Sequence, residues 1–170
     1  MTLKELKCIT ENINLEEYIE LRELVKQNMP HPDWLGDFSK EDIKKMLEQN
    51  SKIWIYYRKK QPICSMMLIP AEKKSLIKFG LDLDYQVVAD YGPMFVHPNY
   101  VGNALQIQML ETLDEYCKTI GYQYAASTVH PENLHSIYNL EKDGFELQGQ
   151  KILKRGPRNI YVKKYKKTQN

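Results

Sequence analysis

Apolar and polar residues follow two rhythms along the chain, and the changes between them predict its strands and helices. Apolar runs rich in β-branched and aromatic residues predict strands. Apolar residues that recur every three or four positions predict helices, two of which begin after the capping residues Asn14 and Ser39. The predicted strands cover 3–9, 53–58, 63–69, 87–96, 124–129, 146–154 and 159–165. The stretch 75–84 fits neither rhythm, and it favours a short strand or an irregular lid equally.

The longest helical pattern begins at Leu105 and ends before Gly121. Its polar side includes Asp114. Its apolar side is formed by Leu105, Met109, Leu110, Leu113, Tyr116 and Cys117. A further helix follows Asn133 and stops at Gly144. The resulting order of strand, two helices, several antiparallel strands, helix, strand, helix and strand pair predicts an α+β fold.

The chain has 170 residues, which predicts a single domain, 1–170, with a substantial buried core. Within it, the turn from strand 87–96 into the helix at Leu105 carries the sharpest chemical signal. His97-Pro98 ends the strand, because proline lacks a donor and favours an extended preceding residue. The small residues Gly102 and Ala104 then allow a ligand to approach the backbone at a helix N-terminus, where N–H groups and the helix dipole attract a phosphate. A glycine that serves only to make the turn is the alternative reading.

A second motif lies downstream at a matching distance. The turn reads Asn99-x-x-Gly102-x-Ala104, and Asn133-x-x-Ser136 with Gly144-Phe145 follows. Together these motifs resemble the GNAT family of acetyl-CoA-dependent N-acetyltransferases. The resemblance implies a mixed, mostly antiparallel sheet flanked by helices, acetyl-CoA as cosubstrate, no metal, and transfer of the acetyl group to a primary amine by direct attack.

The resemblance also implies how the coenzyme is held. The pantetheine arm pairs with the backbone of the strand at Met94, Phe95 and Val96. The pyrophosphate lies on the N–H groups of Val101, Gly102, Asn103 and Ala104. Asn99 stands where the family has Gln or Arg, so one anchoring side chain is shorter. Asn133 contacts the pantetheine arm or simply caps its helix, and Ser136 completes the second motif.

Acetyl transfer needs a deprotonated amine and a stabilised leaving thiolate. The resemblance points to Asp90 as the general base, acting through a water, with a surface aspartate as the alternative. Leu140 occupies the position where many members carry a catalytic tyrosine. Tyr138 lies two residues earlier, roughly 200° round an ideal helix. Ser136, Tyr138 or a water could act as general acid. His97 and His130 each precede a proline, and turn chemistry is expected of both rather than catalysis.

Composition narrows the function classes. The net charge of +2 is too small to indicate nucleic-acid binding, and the basic residues 163–167 are expected to form a solvated end. Three cysteines, Cys8, Cys64 and Cys117, lie in apolar contexts without metal-ligand spacing, which predicts buried reduced thiols and a cytoplasmic location. The sequence has neither a signal peptide nor a stretch long enough to span a membrane, so no membrane association is expected.

The acceptor is the least determined part of the prediction. A small-molecule or peptide amine, and a monomer or a homodimer, all remain open. Trp34 and Phe38 lie between the first two helices, where they could line an acceptor pocket or close the edge of the core. A regulatory module that binds acyl-CoA without turnover is the alternative function. An unrelated nucleotide-binding domain lacks support, because neither characteristic glycine-rich loop is present.

Overall fold

The computed structural model describes residues 1–167, which form seven β-strands and five α-helices. The strands are β1 (Lys7–Ile9), β2 (Lys52–Arg58), β3 (Gln61–Pro70), β4 (Val88–Val96), β5 (Tyr124–Val129), β6 (Glu146–Leu153) and β7 (Gly156–Lys164). The helices are α1 (Leu15–Gln27), α2 (Lys40–Glu48), α3 (Lys73–Phe79), α4 (Leu105–Ile120) and α5 (Leu134–Lys142). None of the helices within residues 1–167 combines the length and the apolar character needed to cross a bilayer.

The strands form one sheet in the order β1-β2-β3-β4-β5-β7-β6. Strand β1 pairs with β2, β2 with β3, β5 with β7, and β6 with β7, all antiparallel. Strand β4 pairs with β5 in parallel. The prediction of an α+β fold with a mixed, mostly antiparallel sheet flanked by helices is confirmed.

The chain divides into two compact units, each built from two segments. The first contains Met1–Ile69 and Gly92–Met109, and the second contains Pro70–Tyr91 and the chain from Leu110 onwards. A single domain spanning 1–170 stays a prediction.

Helices α1 and α2 in the first unit begin where the capping residues predict. The Asn14 side chain accepts hydrogen bonds from the N–H groups of Glu16 and Glu17, and Ser39 accepts one from Asp42. The apolar faces of these helices and of the first unit's strands share one core. Its buried members are Tyr18, Leu21, Val25, Leu35, Ile43, Ile53, Ile55, Tyr57, Met67 and Phe95.

The start of the chain differs from the strand predicted for residues 3–9. Leu3–Glu5 is a turn of 3-10 helix, and the strand is confined to Lys7–Ile9. The side chain of Glu5 folds back onto the N–H of Thr2, which favours the helical turn over an extended chain. Cys8 on β1 is exposed, so the prediction that all three thiols are buried is wrong for this one; Cys64 and Cys117 are buried.

Helix α3 (Lys73–Phe79), in the second unit, covers the first half of the stretch 75–84, so the short strand was a wrong prediction there, whereas residues 81–84 have no regular secondary structure. The helix ends at Gly80, whose φ of 71° is the left-handed conformation of a helix C-cap. Leu76 is buried, whereas its neighbour Ile77 is exposed. The short helix therefore has too few apolar positions to show a helical period.

A buried polar network also belongs to the second unit. Asp114, which the pattern of α4 assigned to the polar face, is buried and accepts hydrogen bonds from the Tyr91 hydroxyl and the Lys163 ammonium. Lys163 also contacts Asp143 Oδ2 at 3.2 Å, and the Tyr91 and Tyr165 hydroxyls are 2.6 Å apart. The prediction that 163–167 forms a solvated end is therefore wrong for Lys163, which lies in an ion pair, and for Tyr165, which is buried.

Candidate active site

The turn between β4 and α4 has two residues in the left-handed conformation. Gly102 has φ 93°, and Ala104 has φ 53°. A Cβ atom built at Gly102 would meet no atom of the described residues within 4 Å, so packing does not require glycine there. The positive φ requires it, and the open space above the backbone is available to a ligand. Ala104 adopts the same region at a cost of about 1 kcal/mol.

This turn presents unpaired backbone donors. Within residues 1–167, the N–H groups of Gly102, Asn103 and Ala104 have no hydrogen-bond acceptor in the protein. The first turn of a helix, here that of α4, has N–H groups without helical partners. The N–H of Val101 lies 3.5 Å from the Pro98 carbonyl oxygen, at the outer limit of a hydrogen bond, so its contact with a pyrophosphate stays a prediction. The three N–H groups of 102–104 form a cradle suited to an anion.

Gln108 stabilises the turn by hydrogen bonds, a role that the sequence analysis did not predict. Its Nε2 donates to the carbonyls of Asn103 at 3.1 Å and Ala104 at 3.3 Å. Its Oε1 accepts a hydrogen bond of 2.9 Å from the N–H of Leu3. Gln108 thus binds two carbonyl oxygens of the turn, while the N–H groups of the turn stay available to a ligand. In the sequence Gln108 looks like any polar residue on the solvent side of a helix.

The residues that enter the turn are fixed by His97. Its buried imidazole accepts a hydrogen bond at Nδ1 from the N–H of Asn99, and its ring lies edge-on to Tyr100 with centroids 5.5 Å apart. Asn103 Nδ2 donates to the Tyr100 carbonyl at 3.0 Å. The side chain of Asn99 itself is exposed. His97 therefore has the structural role expected of it, as does His130, whose Nδ1 accepts from the Glu132 N–H.

Strand β4 pairs with β5 over only part of its length. The pairs are Val88–Tyr124, Ala89–Ala125 and Asp90–Ala126, while β4 continues to Val96. In the first unit Phe95 is buried with its ring 5.3 Å from that of Tyr18, and Met94 and Val96 are partly buried. The side chains of Met94, Phe95 and Val96 therefore pack, as the resemblance requires if their backbone is the binding element.

Asp90, in the second unit, is the one carboxylate residue of β4. Burial raises its pKa from 3.8 to about 7. A carboxyl with such a pKa is partly ionised near neutral pH and can exchange a proton there. The exposed surface aspartate that was the alternative reading does not match this partly buried position.

The second predicted motif lies on α5, also in the second unit. Asn133 Oδ1 accepts a hydrogen bond from the Ser136 N–H at 3.4 Å, which is the capping role that was one of its two readings. Tyr138 is 64% exposed and Leu140 is buried, so the two side chains point to different sides of the helix. A direct contact of Asn133, Ser136 or Tyr138 with a coenzyme stays a prediction.

The connection between α1 and α2 lies against β4 within the first unit. A Cβ atom at Gly36 would be 2.8 Å from Cγ of Pro93. The rings of His31 and Trp34 stack with centroids 4.5 Å apart, and both side chains retain solvent exposure. Phe38 packs on the first unit's core, as the core-edge reading predicted. Trp34, stacked beside His31, still fits a pocket wall.

Residues 1–167 contain no cluster of three or more His, Cys, Asp or Glu side chains that could hold a metal ion. The donors at the turn are instead uncharged N–H groups. The chemistry that this arrangement favours is the binding of a phosphate-bearing molecule by backbone donors.

Three solved structures that superimpose on the chain are described as acetyltransferases. An acetyltransferase of the GNAT family from Streptococcus pneumoniae superimposes with a TM-score of 0.67 at 13% identity, over 93% of this chain and 99% of that one. A Bacillus subtilis acetyltransferase in complex with CoA gives 0.65 at 12% identity, covering 94% and 99%. An aminoglycoside acetyltransferase in complex with coenzyme A and kanamycin gives 0.67 at 16% identity, covering 93% and 95%.

No protein-family model and no curated protein sequence matches the chain. The structural likeness, at 12–16% identity, establishes that the chain has the fold of these acetyltransferases. The fold implied by the two sequence motifs is thereby confirmed.

Proposed function

We propose that the protein is an acetyl-CoA-dependent N-acetyltransferase. The observation that carries the proposal is the turn at 102–104, where three backbone N–H groups lack a protein acceptor beneath open space. This turn follows a strand and opens a helix in a fold that other acetyltransferases share, two of them crystallised with coenzyme A. The geometry suits a pyrophosphate, which needs several converging donors and room beside the backbone.

The coenzyme is held mainly by backbone groups in this proposal. Its pyrophosphate accepts hydrogen bonds from Gly102, Asn103 and Ala104, and its pantetheine arm runs along Met94–Val96. Support for the arm comes from β4 itself, which extends beyond its last pair with β5 at Asp90. A strand edge without a partner offers N–H and C=O groups that an extended amide chain can use. Asn99 and Val101, which lead into the turn, are proposed to contact the coenzyme beside this cradle.

The reaction is direct attack of a neutral amine on the thioester carbonyl carbon. The new C–N bond forms, the C–S bond breaks, and coenzyme A leaves as a thiolate. The amine loses one proton, which the Asp90 carboxylate accepts through a water, and the thiolate takes up a proton to become the free thiol. The raised pKa of Asp90, about 7, supports this role because a base works best near the ambient pH.

The general acid is the less constrained partner. Coenzyme A thiolate leaves readily, so a water can supply its proton, and Ser136 or Tyr138 can serve in its place. The exposed hydroxyl of Tyr138 argues for the water. Asn133 is proposed to contact the pantetheine arm through its side-chain amide, while its Oδ1 caps α5.

The acceptor is proposed to be a small-molecule amine, with a peptide amine as the second possibility. The aminoglycoside acetyltransferase that shares the fold was crystallised with kanamycin, which supports the small-molecule class. The stacked rings of His31 and Trp34 offer an aromatic wall to such a ligand. Aromatic faces attract ammonium groups, so a cationic amine is the expected chemistry.

Calorimetric titration of acetyl-CoA, and separately of coenzyme A, into the 170-residue protein tests the proposal. Micromolar binding of both is expected. A panel of amines is then screened for coenzyme A release, and turnover of any amine supports the enzyme. Tight binding without turnover of any amine favours a regulatory module that binds acyl-CoA. If neither acetyl-CoA nor coenzyme A binds, both the enzyme and the regulatory module are rejected.

A further inference from the structure

A basic surface pocket lies at the tip of the β2–β3 hairpin in the first unit. Its volume is ≈ 620 Å³, and it is lined by Arg58, Lys59, Lys60, Gln61 and Tyr100. The three cations are consecutive in the sequence and all are exposed. A pocket bordered by three positive charges has a strong preference for an anion.

Among residues 1–167, no salt bridge involves Arg58, Lys59 or Lys60. Glu5 borders a smaller pocket together with Arg58, and its pKa is lowered mainly by hydrogen bonds from Thr2 and to a lesser degree by Arg58. Neither Lys59 nor Lys60 lines that smaller pocket. The ammonium groups of Lys59 and Lys60 are therefore available to a ligand.

The hairpin turn also retains a residue that its geometry disfavours. Lys59 has φ 57°, a left-handed conformation in which glycine or asparagine is the comfortable choice. The two-residue turn, closed by the Arg58–Gln61 pair, therefore has a lysine at a position where any Cβ atom is crowded by the backbone. An unfavourable residue at a charged surface indicates a role for its side chain rather than for the turn.

The pocket is connected to the phosphate-binding turn. Tyr100, which lines it, immediately precedes the turn, and its hydroxyl donates to Gln61 Oε1 at 3.4 Å. Gln61 Nε2 in turn lies 3.1 Å from Nε2 of His97, the residue that fixes the entry of the turn. The hairpin tip and the turn are therefore held together by side chains of the same unit.

We propose that this pocket binds the 3′-phosphate of coenzyme A, with Lys59 and Lys60 as the principal contacts. The inference rests on the proposed function. Coenzyme A carries, besides its pyrophosphate, a phosphomonoester on the ribose, and such a group has a charge between −1 and −2 at neutral pH. A lysine ammonium is a point charge on a flexible stem, so two lysines can both reach an exposed terminal phosphate. The pocket thereby distinguishes coenzyme A from its dephosphorylated form.

Calorimetric titration of coenzyme A and of 3′-dephospho-coenzyme A into the 170-residue protein tests the assignment. The wild-type protein is expected to bind coenzyme A at least about tenfold more tightly than the dephospho form. The variant Lys59→Gly/Lys60→Ser removes both charges while giving the turn the glycine that its backbone favours. It is expected to bind both ligands equally, with the affinity of wild type for the dephospho form.

A second variant controls for the loss of two positive charges as such. Lys44→Ala/Lys45→Ala removes two exposed lysines from α2 and is expected to keep the tenfold preference. Equal binding of the two ligands by wild type, or a preference that survives in the hairpin variant, overturns the assignment while leaving the proposed function intact. Failure of both ligands to bind wild type rejects the proposed function, and the assignment with it.

Discussion

The position of a Cβ atom at Gly36 lies 2.8 Å from Cγ of Pro93, so the connection between α1 and α2 touches β4 through a residue without a side chain. A methyl group there must displace a rigid proline ring. We expect Gly36→Ala to lower the free energy of unfolding by about 1–3 kcal/mol in urea denaturation. Gly149→Ala is the matched control, because a Cβ at Gly149 meets no described atom within 4 Å. Equal losses of stability for the two substitutions would show that the contact between Gly36 and Pro93 can accommodate a methyl group.

Tyr18 and Tyr57 differ in whether their buried hydroxyls have a partner. The Tyr18 hydroxyl has none within residues 1–167, whereas the Tyr57 hydroxyl donates to Glu17 Oε2 at 2.5 Å. We expect Tyr18→Phe to raise the free energy of unfolding by about 1 kcal/mol, because it removes an unsatisfied polar group. Tyr57→Phe should lower it by about 1–2 kcal/mol. Chemical denaturation of both variants measures the difference, and destabilisation by Tyr18→Phe would mean that its hydroxyl is hydrogen-bonded in solution.

The proposed phosphate cradle at 102–104 can be blocked by a substitution that lies outside the core. Gly102→Glu fills the open space with a side chain and a negative charge, and we expect loss of measurable coenzyme A binding. Its φ of 93° costs a non-glycine residue about 1 kcal/mol, so the fold should persist by circular dichroism. Ala104→Gly relieves the left-handed alanine and should retain binding. Unchanged affinity in the glutamate variant would remove the cradle from the proposal.

The raised pKa of Asp90 has a consequence for both rate and stability. The rate should rise with pH up to about 7 and then level off, as the carboxyl ionises. Asp90→Asn should abolish that rise and lower the rate by about 10²-fold. Stability depends on the same carboxyl. Between pH 3.8 and about 7 the folded protein retains a proton on Asp90 that the unfolded chain has lost, so the contribution of Asp90 to the free energy of unfolding decreases as the pH rises.

Tyr138→Phe provides the comparison for that profile, since its hydroxyl lies on the exposed side of α5. We expect little change in rate for this variant. A large loss would identify Tyr138 as the general acid. A pH profile that Asp90→Asn leaves unaltered would instead return Asp90 to a structural role.

Removal of a buried charge in the second unit should lower the free energy of unfolding far more than removal of an exposed charge. Asp114→Ala leaves the Tyr91 hydroxyl and one side of Lys163 without their acceptor, and we expect a loss of about 3–5 kcal/mol in the free energy of unfolding. Lys74 pairs with Glu72 at 3.1 Å, but the two side chains are 73% and 55% exposed. Lys74→Ala should therefore change stability by less than about 0.5 kcal/mol. Similar losses would show that the network is open to solvent.

Periodicity predicted most of the helices and strands, because long elements repeat their burial pattern several times. Helix α4 is the clearest case, with Leu105, Met109, Leu110, Leu113 and Cys117 buried as expected. Helix α3 was missed because only Leu76 of its seven residues is buried. The signal available was Gly80, which reads as a helix C-cap once a helix is considered.

The sequence analysis also predicted exposure for charged residues that are buried. Their partners are far apart along the chain, so local sequence does not reveal the pairing. Lys163 pairs with Asp114, which lies 49 residues earlier. Burial and the Asp114 carboxylate also raise the pKa of Asp143, which joins the same cluster. Local sequence identifies each residue as charged and therefore as exposed. Only the pairing of β7 with β5 and the packing of α4 bring the partners together.

The candidate site was predictable where it depends on local backbone and was not where it depends on distant contacts. The glycine turn and its helix follow from consecutive residues. Gln108 could not be foreseen, because its acceptor role depends on the N–H of Leu3, 105 residues away. The contact of the Val101 N–H with the Pro98 carbonyl oxygen likewise depends on the conformation of the turn, which sequence does not reveal.

The distribution of the three thiols determines how this protein responds to labelling reagents. Burial raises the pKa of Cys64 to about 12 and that of Cys117 to about 11, which keeps both as unreactive thiols. Burial also raises the pKa of Cys8, but its side chain is exposed on the edge strand β1 and remains accessible. The native chain thus offers one attachment point for a fluorophore without any mutagenesis. It also sets the background of a colorimetric assay for released coenzyme A at one equivalent per chain.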